Sequence, residues 1–346
     1  MKKGFTLIEL LAVIVILAII ALIATPIILG IIEDARKGSI EASANGYIDA
    51  VEYNSARSEL KGNEISDGIY NINDLDIDVD GEKPAYGEVT IEKGKVENAT
   101  FVINGYTVNY DGTKARVEGN APTYKVYENG TAVYYDPVLG EECKEADAIS
   151  TTGTKTGCMK FYTFNDEGKY SDKVNMILDH NTTPLVAWNS LGTNTEMKEV
   201  KEALENDTSN WKDKKTVRLI TADEVAKITG NATFNSKIST TSEYFYFETN
   251  TSTIPNSYSN IYSWLYEYTH SCASYGCNIA DENKYEYSTE GLINYIYGSW
   301  TSTPVAGSTY YTWIVDRCGR LDDHNVGDWQ YYGVRPVITI SKSLIS

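Results

Sequence analysis

LLAVIVILAIIALIATPIILGII, Leu10–Ile32, is the stretch that decides the architecture: 23 positions interrupted only by Thr25, Pro26 and Gly30. At 1.5 Å rise per residue, about 20 such residues cross a hydrocarbon core about 30 Å thick. Ahead of it stands Met1-Lys2-Lys3-Gly4, a basic leader whose lysines would stay on the cytoplasmic side. A secretory signal peptide is the rival reading, but the apolar run is long for one and no clean small-x-small cleavage site follows. Glu9 separates the two further, because a carboxylate at the head of an apolar run is costly in lipid and predicts a functional partner.

The segment Lys3-Gly4-Phe5-Thr6-Leu7-Ile8-Glu9-Leu10 resembles the processing site of type IV pilins and type II secretion pseudopilins. The resemblance implies that a prepilin peptidase cuts after Gly4 and that Phe5 becomes a methylated N-terminus. It also implies that the Glu9 carboxylate governs assembly with other pilin subunits. Pro26 falls where the family commonly carries a helix-loosening proline. An α-amine at Phe5 is cationic below about pH 8, and a carboxylate among aliphatic side chains needs such a counter-charge. Glu9 lies four residues along, so it can face its own amine or that of the next subunit, and a helix N-terminus favours it in either case.

Beyond Ile32 the helical period continues while polarity changes. Ile40, Ala44, Tyr47, Ile48, Val51 and Leu60 recur at spacings near three and four, among charged residues from Glu33 to Glu52. One helix from Phe5 to Leu60 is predicted, about 80 Å long, with Lys61-Gly62-Asn63 as its stop. Alternating strands follow at Glu88–Ile91, Val96–Ile103, Tyr106–Tyr110 and Lys114–Val117, broken by Lys93-Gly94, Asn104-Gly105 and Asp111-Gly112. The expected class is α+β: a long membrane-spanning helix packed on a small antiparallel sheet, then a strand- and loop-rich C-terminal domain. The boundaries are a leader at 1–4, the membrane half of the helix at 5–32, a pilin-like head at 33–119 and an outer domain at 120–346.

Within the head, Asp74–Gly81 alternates aspartate with Leu75, Ile77 and Val79, as a half-buried strand or loop with a solvated acidic face does. Asp76, Asp78, Asp80 and Gly81 also fit the opening of a calcium loop, yet the twelfth position would be Gly87, with Glu88 one residue late. In the C-terminal region Glu196–Leu204 is helical in pattern, and Thr221 with Glu224 makes a capping box. Ser299–Pro304, Trp313-Ile314-Val315 and Gly333-Val334-Arg335-Pro336-Val337-Ile338 resemble the final stretch of bacterial C-type-lectin-like domains, including relatives of the formylglycine-generating enzyme. That resemblance implies structural roles for Trp300, Trp313 and Arg335, the arginine paired with a carboxylate.

The formal net charge of −18 opposes contact with a phosphate backbone, so no nucleic-acid partner is expected. A 42% apolar content argues against disorder. His180, His270 and His324 are the three histidines, and none sits in a catalytic motif; no enzymatic activity, metal or cofactor is expected. Five cysteines on the exported side predict two local bridges, Cys143 to Cys158 and Cys272 to Cys277, with Cys318 a free bystander thiol. Fifteen of the 27 tyrosines fall between Tyr244 and Tyr332. Tyr258, Tyr262, Trp264, Tyr266, Tyr268, Tyr285, Tyr287, Tyr295 and Tyr297 are therefore expected to line a surface for a host glycan or protein. The leading expectation is a pilin-like filament subunit with an adhesive outer domain. A pseudopilin of a secretion or DNA-uptake system is the alternative, and a membrane-anchored enzyme with a lectin-like fold the third.

Overall fold

The computed structural model describes residues 7–60, 66–75, 77, 79, 81–148, 157–183, 185–241, 245–247, 261–266, 286–289, 292–295, 298–316, 319–329 and 331–345. The chain divides into two compact units, Met1–Pro122 and Thr123–Ser346.

Among the described residues the first unit is one α-helix and one sheet, with a single 3-10 turn at Ile72–Asp74. Helix α1, Leu7–Leu60, runs unbroken through Pro26. The Thr25 hydroxyl donates to the Ala21 carbonyl at 2.6 Å just before the proline, a local bond of the kind that bends helices. From Leu7 to Ile32 the large side chains lie exposed, and among the described residues this is the one helix long and apolar enough to cross a membrane. Farther along, Ile40, Ala44, Tyr47, Ile48 and Val51 are buried, the stripe that the spacing predicts. Each such aliphatic side chain contributes about 1.5–3 kcal/mol. Tyr47 meets Phe101 edge to face, centroids 5.4 Å apart, and burial pushes its phenol up to about 12.

The sheet is an antiparallel meander of β1 (Gly68–Asn71), β2 (Tyr86–Glu92), β3 (Lys95–Ile103), β4 (Tyr106–Tyr110) and β5 (Ala115–Asn120), in that spatial order. Lys93-Gly94 and Asn104-Gly105 turn with positive φ at both positions, 51° and 76°, then 48° and 82°. These turns match the twist of the strands they join. The marginal strand β5 does not leave its outward amides bare: Ala115 N–H donates to Asn45 Oδ1 and Val117 N–H to Glu41 Oε1, both at 3.2 Å. At the β2–β3 hairpin Val96 N–H likewise donates to Glu52 Oε1 at 3.0 Å. Three polar side chains of α1 thus bond strand amides as well as flanking the apolar stripe. Ile77 is buried against the same core with Leu75 and Val79 packed beside it, while Asp76, Asp78 and Asp80 lie outside the described residues.

The second unit holds β6 (Ala132–Asp136), β7 (Glu141–Glu142), α2 (Glu145–Ala148), β8 (Met159–Phe164), β9 (Lys173–Leu178), α3 (Glu199–Asp207), α4 (Ala222–Thr229), β10 (Phe245–Tyr246) and α5 (Ser263–Tyr266). It continues with β11 (Glu286–Thr289), β12 (Leu292–Tyr295), β13 (Gly298–Pro304), β14 (Tyr311–Asp316), β15 (Arg320–Asn325), β16 (Tyr332–Gly333) and β17 (Val337–Ser341). One sheet has the order β17-β9-β8-β6-β7 and the other β10-β15-β14-β13-β16, with β11 and β12 a separate pair. The capping box is present: Glu224 N–H donates to the Thr221 hydroxyl, Thr221 N–H donates to the Glu224 carboxylate, and α4 ends on Gly230 at φ 67°. The Glu224 carboxylate also takes two bonds from the Arg218 guanidinium, at 2.6 and 2.7 Å.

Candidate functional site

The residues that the sequence marks for assembly lie at the exposed end of α1. Glu9 stands in its first turn and Pro26 within it; Gly4 and Phe5 lie outside the described residues. The apolar half gives way to the head at Glu33. Its carboxylate accepts the Tyr106 hydroxyl at 2.9 and 3.0 Å, and Lys37 lies 3.7 Å from it. One end of α1 therefore offers aliphatic surface with a single carboxylate, and the other is fastened to a folded head.

In the second unit Cys143 and Cys158 form a disulfide, closing the 15-residue separation between them. Cys272, Cys277 and Cys318 lie outside the described residues. Trp300 and Trp313 are fully buried, and Trp300 donates its indole N–H to the Val186 carbonyl at 2.7 Å. Arg335 is also buried. Three of its hydrogen bonds go to backbone carbonyls: Leu178 and Trp264 at 2.6 Å, and Leu265. Two of those carbonyls end the short helix α5, where a cation is favoured by the local dipoles. Gly333, two residues earlier, leaves no room for a Cβ, which would lie 2.5 Å from Asn181 Nδ2 and 2.6 Å from the Thr183 carbonyl.

The same arrangement corrects part of the expected recognition surface. Trp264 and Tyr266 are 8% and 2% exposed, packed into the core by the helix that Arg335 holds, and Tyr262 is half-buried beside them. An apolar ring so placed stabilises the fold and offers no face to a macromolecule. Tyr258, Tyr268, Tyr285 and Tyr297 lie outside the described residues; Tyr287 and Tyr295 fall on β11 and β12. Large apolar side chains exposed in this unit include Leu191, Tyr310 and Trp329, which pattern alone does not single out.

Three charged side chains deep in the unit also escaped sequence reasoning. Lys342 and Asp166 form an ion pair at 2.6 Å, with side chains 1% and 3% exposed. Asp322 is buried, and desolvation pushes its carboxyl up to about 6 against the pull of Arg320, 2.8 Å away. Between about pH 4 and pH 6 the folded chain therefore keeps a proton that the unfolded chain has released, so this group's contribution to stability falls as pH rises. Asp322→Asn retains the acceptor for the Asp323 amide. Its unfolding free energy relative to the parent should improve by of order 2–3 kcal/mol from pH 4 to pH 7, read from paired denaturation curves. A constant difference across that range would refute the assignment.

His180 is buried against the Asp179 carboxylate, and His324 lies 3.1 Å from Asp328. No cluster of metal-ligating side chains occurs among the described residues.

The family model of the prokaryotic N-terminal methylation motif matches residues 1–25. No curated protein and no solved structure matches the chain. The motif stands at the head of a helix long and apolar enough to cross a membrane, the N-terminal arrangement of prepilin-type precursors, and together they support membrane anchoring before processing.

Proposed function

We propose that the chain is a structural subunit of a type IV pilus or related filament, released from its leader by prepilin peptidase, whose C-terminal unit is an outward adhesive module. The observation that carries the reading is the division of α1 at Glu33: an exposed aliphatic half headed by Glu9, then a half whose apolar stripe is already covered by its own sheet. A helix with one half covered and one half bare is suited to bundle with copies of itself once it leaves the lipid. Thr123–Ser346 is larger than the unit that carries the helix, which favours a displayed function over a minimal spacer role in a secretion pseudopilus. The resemblance of Gly333-Val334-Arg335-Pro336 to the last core strand of C-type-lectin-like domains supports the adhesive part, since that segment leads directly into β17.

Cleavage after Gly4 is the first expected result. The intact mass of envelope-purified protein should lack residues 1 to 4 and carry one added methyl group. Cleavage near Ala24 would identify an ordinary signal peptide. Immunogold labelling of shed filaments should then place the chain along the shaft or at the tip, and its absence from filaments would favour the secretion or DNA-uptake alternative.

A further inference from the structure

Three loops of the C-terminal unit are bonded into one base. Asn189 N–H donates to the Val326 carbonyl at 2.9 Å, and Val326 N–H to the Tyr310 carbonyl at 3.0 Å. Asn194 N–H donates to the Thr309 carbonyl at 2.8 Å, while its side-chain amide reaches the Ser308 and Tyr311 carbonyls at 2.9 and 2.7 Å. On this base Leu191 is 75% exposed and Tyr310 and Trp329 are each 57% exposed. Exposing two aromatic rings and a leucine on tightly bonded loops gains nothing for folding, whereas rings held in place bind partners with little ordering cost.

Beside Tyr310 opens a cleft of about 370 Å³, within the lower range of small-ligand sites. Thr240, Thr241, Ser308, Thr309, Tyr310 and Tyr311, all hydroxyl-bearing residues, are among those that line it, and among the described residues no charged side chain does. Hydroxyls that both donate and accept, next to aromatic faces, match a ligand that is itself a ring of C–H groups fringed with hydroxyls. An anionic ligand would find no cation among the described lining residues and would approach a chain of net charge −18.

We propose that this three-loop end binds a neutral saccharide, with a sugar ring seated in the hydroxyl-lined cleft against Tyr310 and the next ring stacked on Trp329. The inference rests on the reading of the C-terminal unit as an adhesive module and names its site and ligand class.

The test uses full-length processed protein in a zwitterionic detergent without a sugar headgroup. Maltotetraose, cellotetraose and chitotetraose are titrated by calorimetry, with a polygalacturonate tetramer as anionic comparison. At least one neutral oligosaccharide should bind saturably. Trp329→Ala and Tyr310→Ala should each weaken it about tenfold or more, Trp329→Phe should retain most of the affinity, and none should change Tm. Absence of binding by every neutral probe, preference for the anionic one, or affinity unaltered by Trp329→Ala would overturn the proposal. Filament incorporation measured on the same variants keeps the two readings apart. Normal filaments without saccharide binding would sink this site alone, while loss of incorporation by the wild type would sink the filament role.

Discussion

Glu9→Ala is expected to abolish filament assembly while leaving membrane insertion and leader removal intact. Glu9 is the one ionisable side chain between Leu7 and Ile32, so its removal makes the segment more compatible with lipid. Insertion should therefore not suffer. Assembly is different, because in the proposed filament subunits bundling through their apolar halves would carry the new amine of Phe5 into a dry interior. A carboxylate four residues along neutralises it, within the chain or across to a neighbour. Leaving one member of a buried ion pair without the other costs about 3–5 kcal/mol. At tenfold per 1.4 kcal/mol, filament yield should fall by about two orders of magnitude or more. Quantitative blotting of sheared filaments against membrane-held protein gives the ratio. Wild-type yield from the mutant would remove Glu9 from the assembly reaction.

Lys342→Met should strongly destabilise the C-terminal unit. The Lys342 ammonium donates to Asp166 Oδ1 at 2.6 Å and to the Gly168 carbonyl at 2.9 Å. Asp166 also accepts the Tyr127 amide at 2.9 Å and the Gly168 amide at 2.7 Å. The pair therefore ties the chain terminus, the turn between β8 and β9, and the entry to β6 at one buried point. Methionine fills similar space but leaves the carboxylate with two amides and no counter-charge, at a cost of about 3–5 kcal/mol. For a unit of this size that is on the order of 10 °C in Tm. Lys342→Met combined with Asp166→Asn should cost less than the sum of the single changes, because the stranded charge is gone. A loss below about 1 kcal/mol for Lys342→Met would show the pair to be a bystander.

The helix, its buried stripe and four strands of the head were legible because each is a local pattern. Ile40 to Val51 repeat at the helical period, and Lys93-Gly94 and Asn104-Gly105 carry their turn geometry in the residue pair itself. The Thr221–Glu224 cap was visible for the same reason, whereas the helix expected over Glu196–Leu204 starts three residues later, at Glu199. Strand β1 was missed. Its four residues, Gly68–Asn71, alternate too briefly to register, and pairing with β2 alone makes them a strand. The Lys342–Asp166 pair joins positions 176 residues apart, and no spacing rule connects them. Tyrosine abundance could not tell a core ring from an exposed one: Tyr266 is buried beside the carbonyls that Arg335 bonds, while Tyr310, in an equally tyrosine-rich stretch, faces solvent.

The bonds from Asn45 and Glu41 to the amides of β5 bear on how copies would meet in the proposed filament. A margin strand with vacant amides is a template, onto which a neighbouring chain adds its own strand and starts a cross-β stack or a domain swap. Here two outward donors of β5 are already taken by the chain's own helix. Crowded side by side at the concentrations that fibre growth requires, the heads are protected along that margin against zippering into the wrong polymer. In the proposed filament, order among copies then falls to the helices, whose side-by-side packing is reversible where an amyloid seam is not.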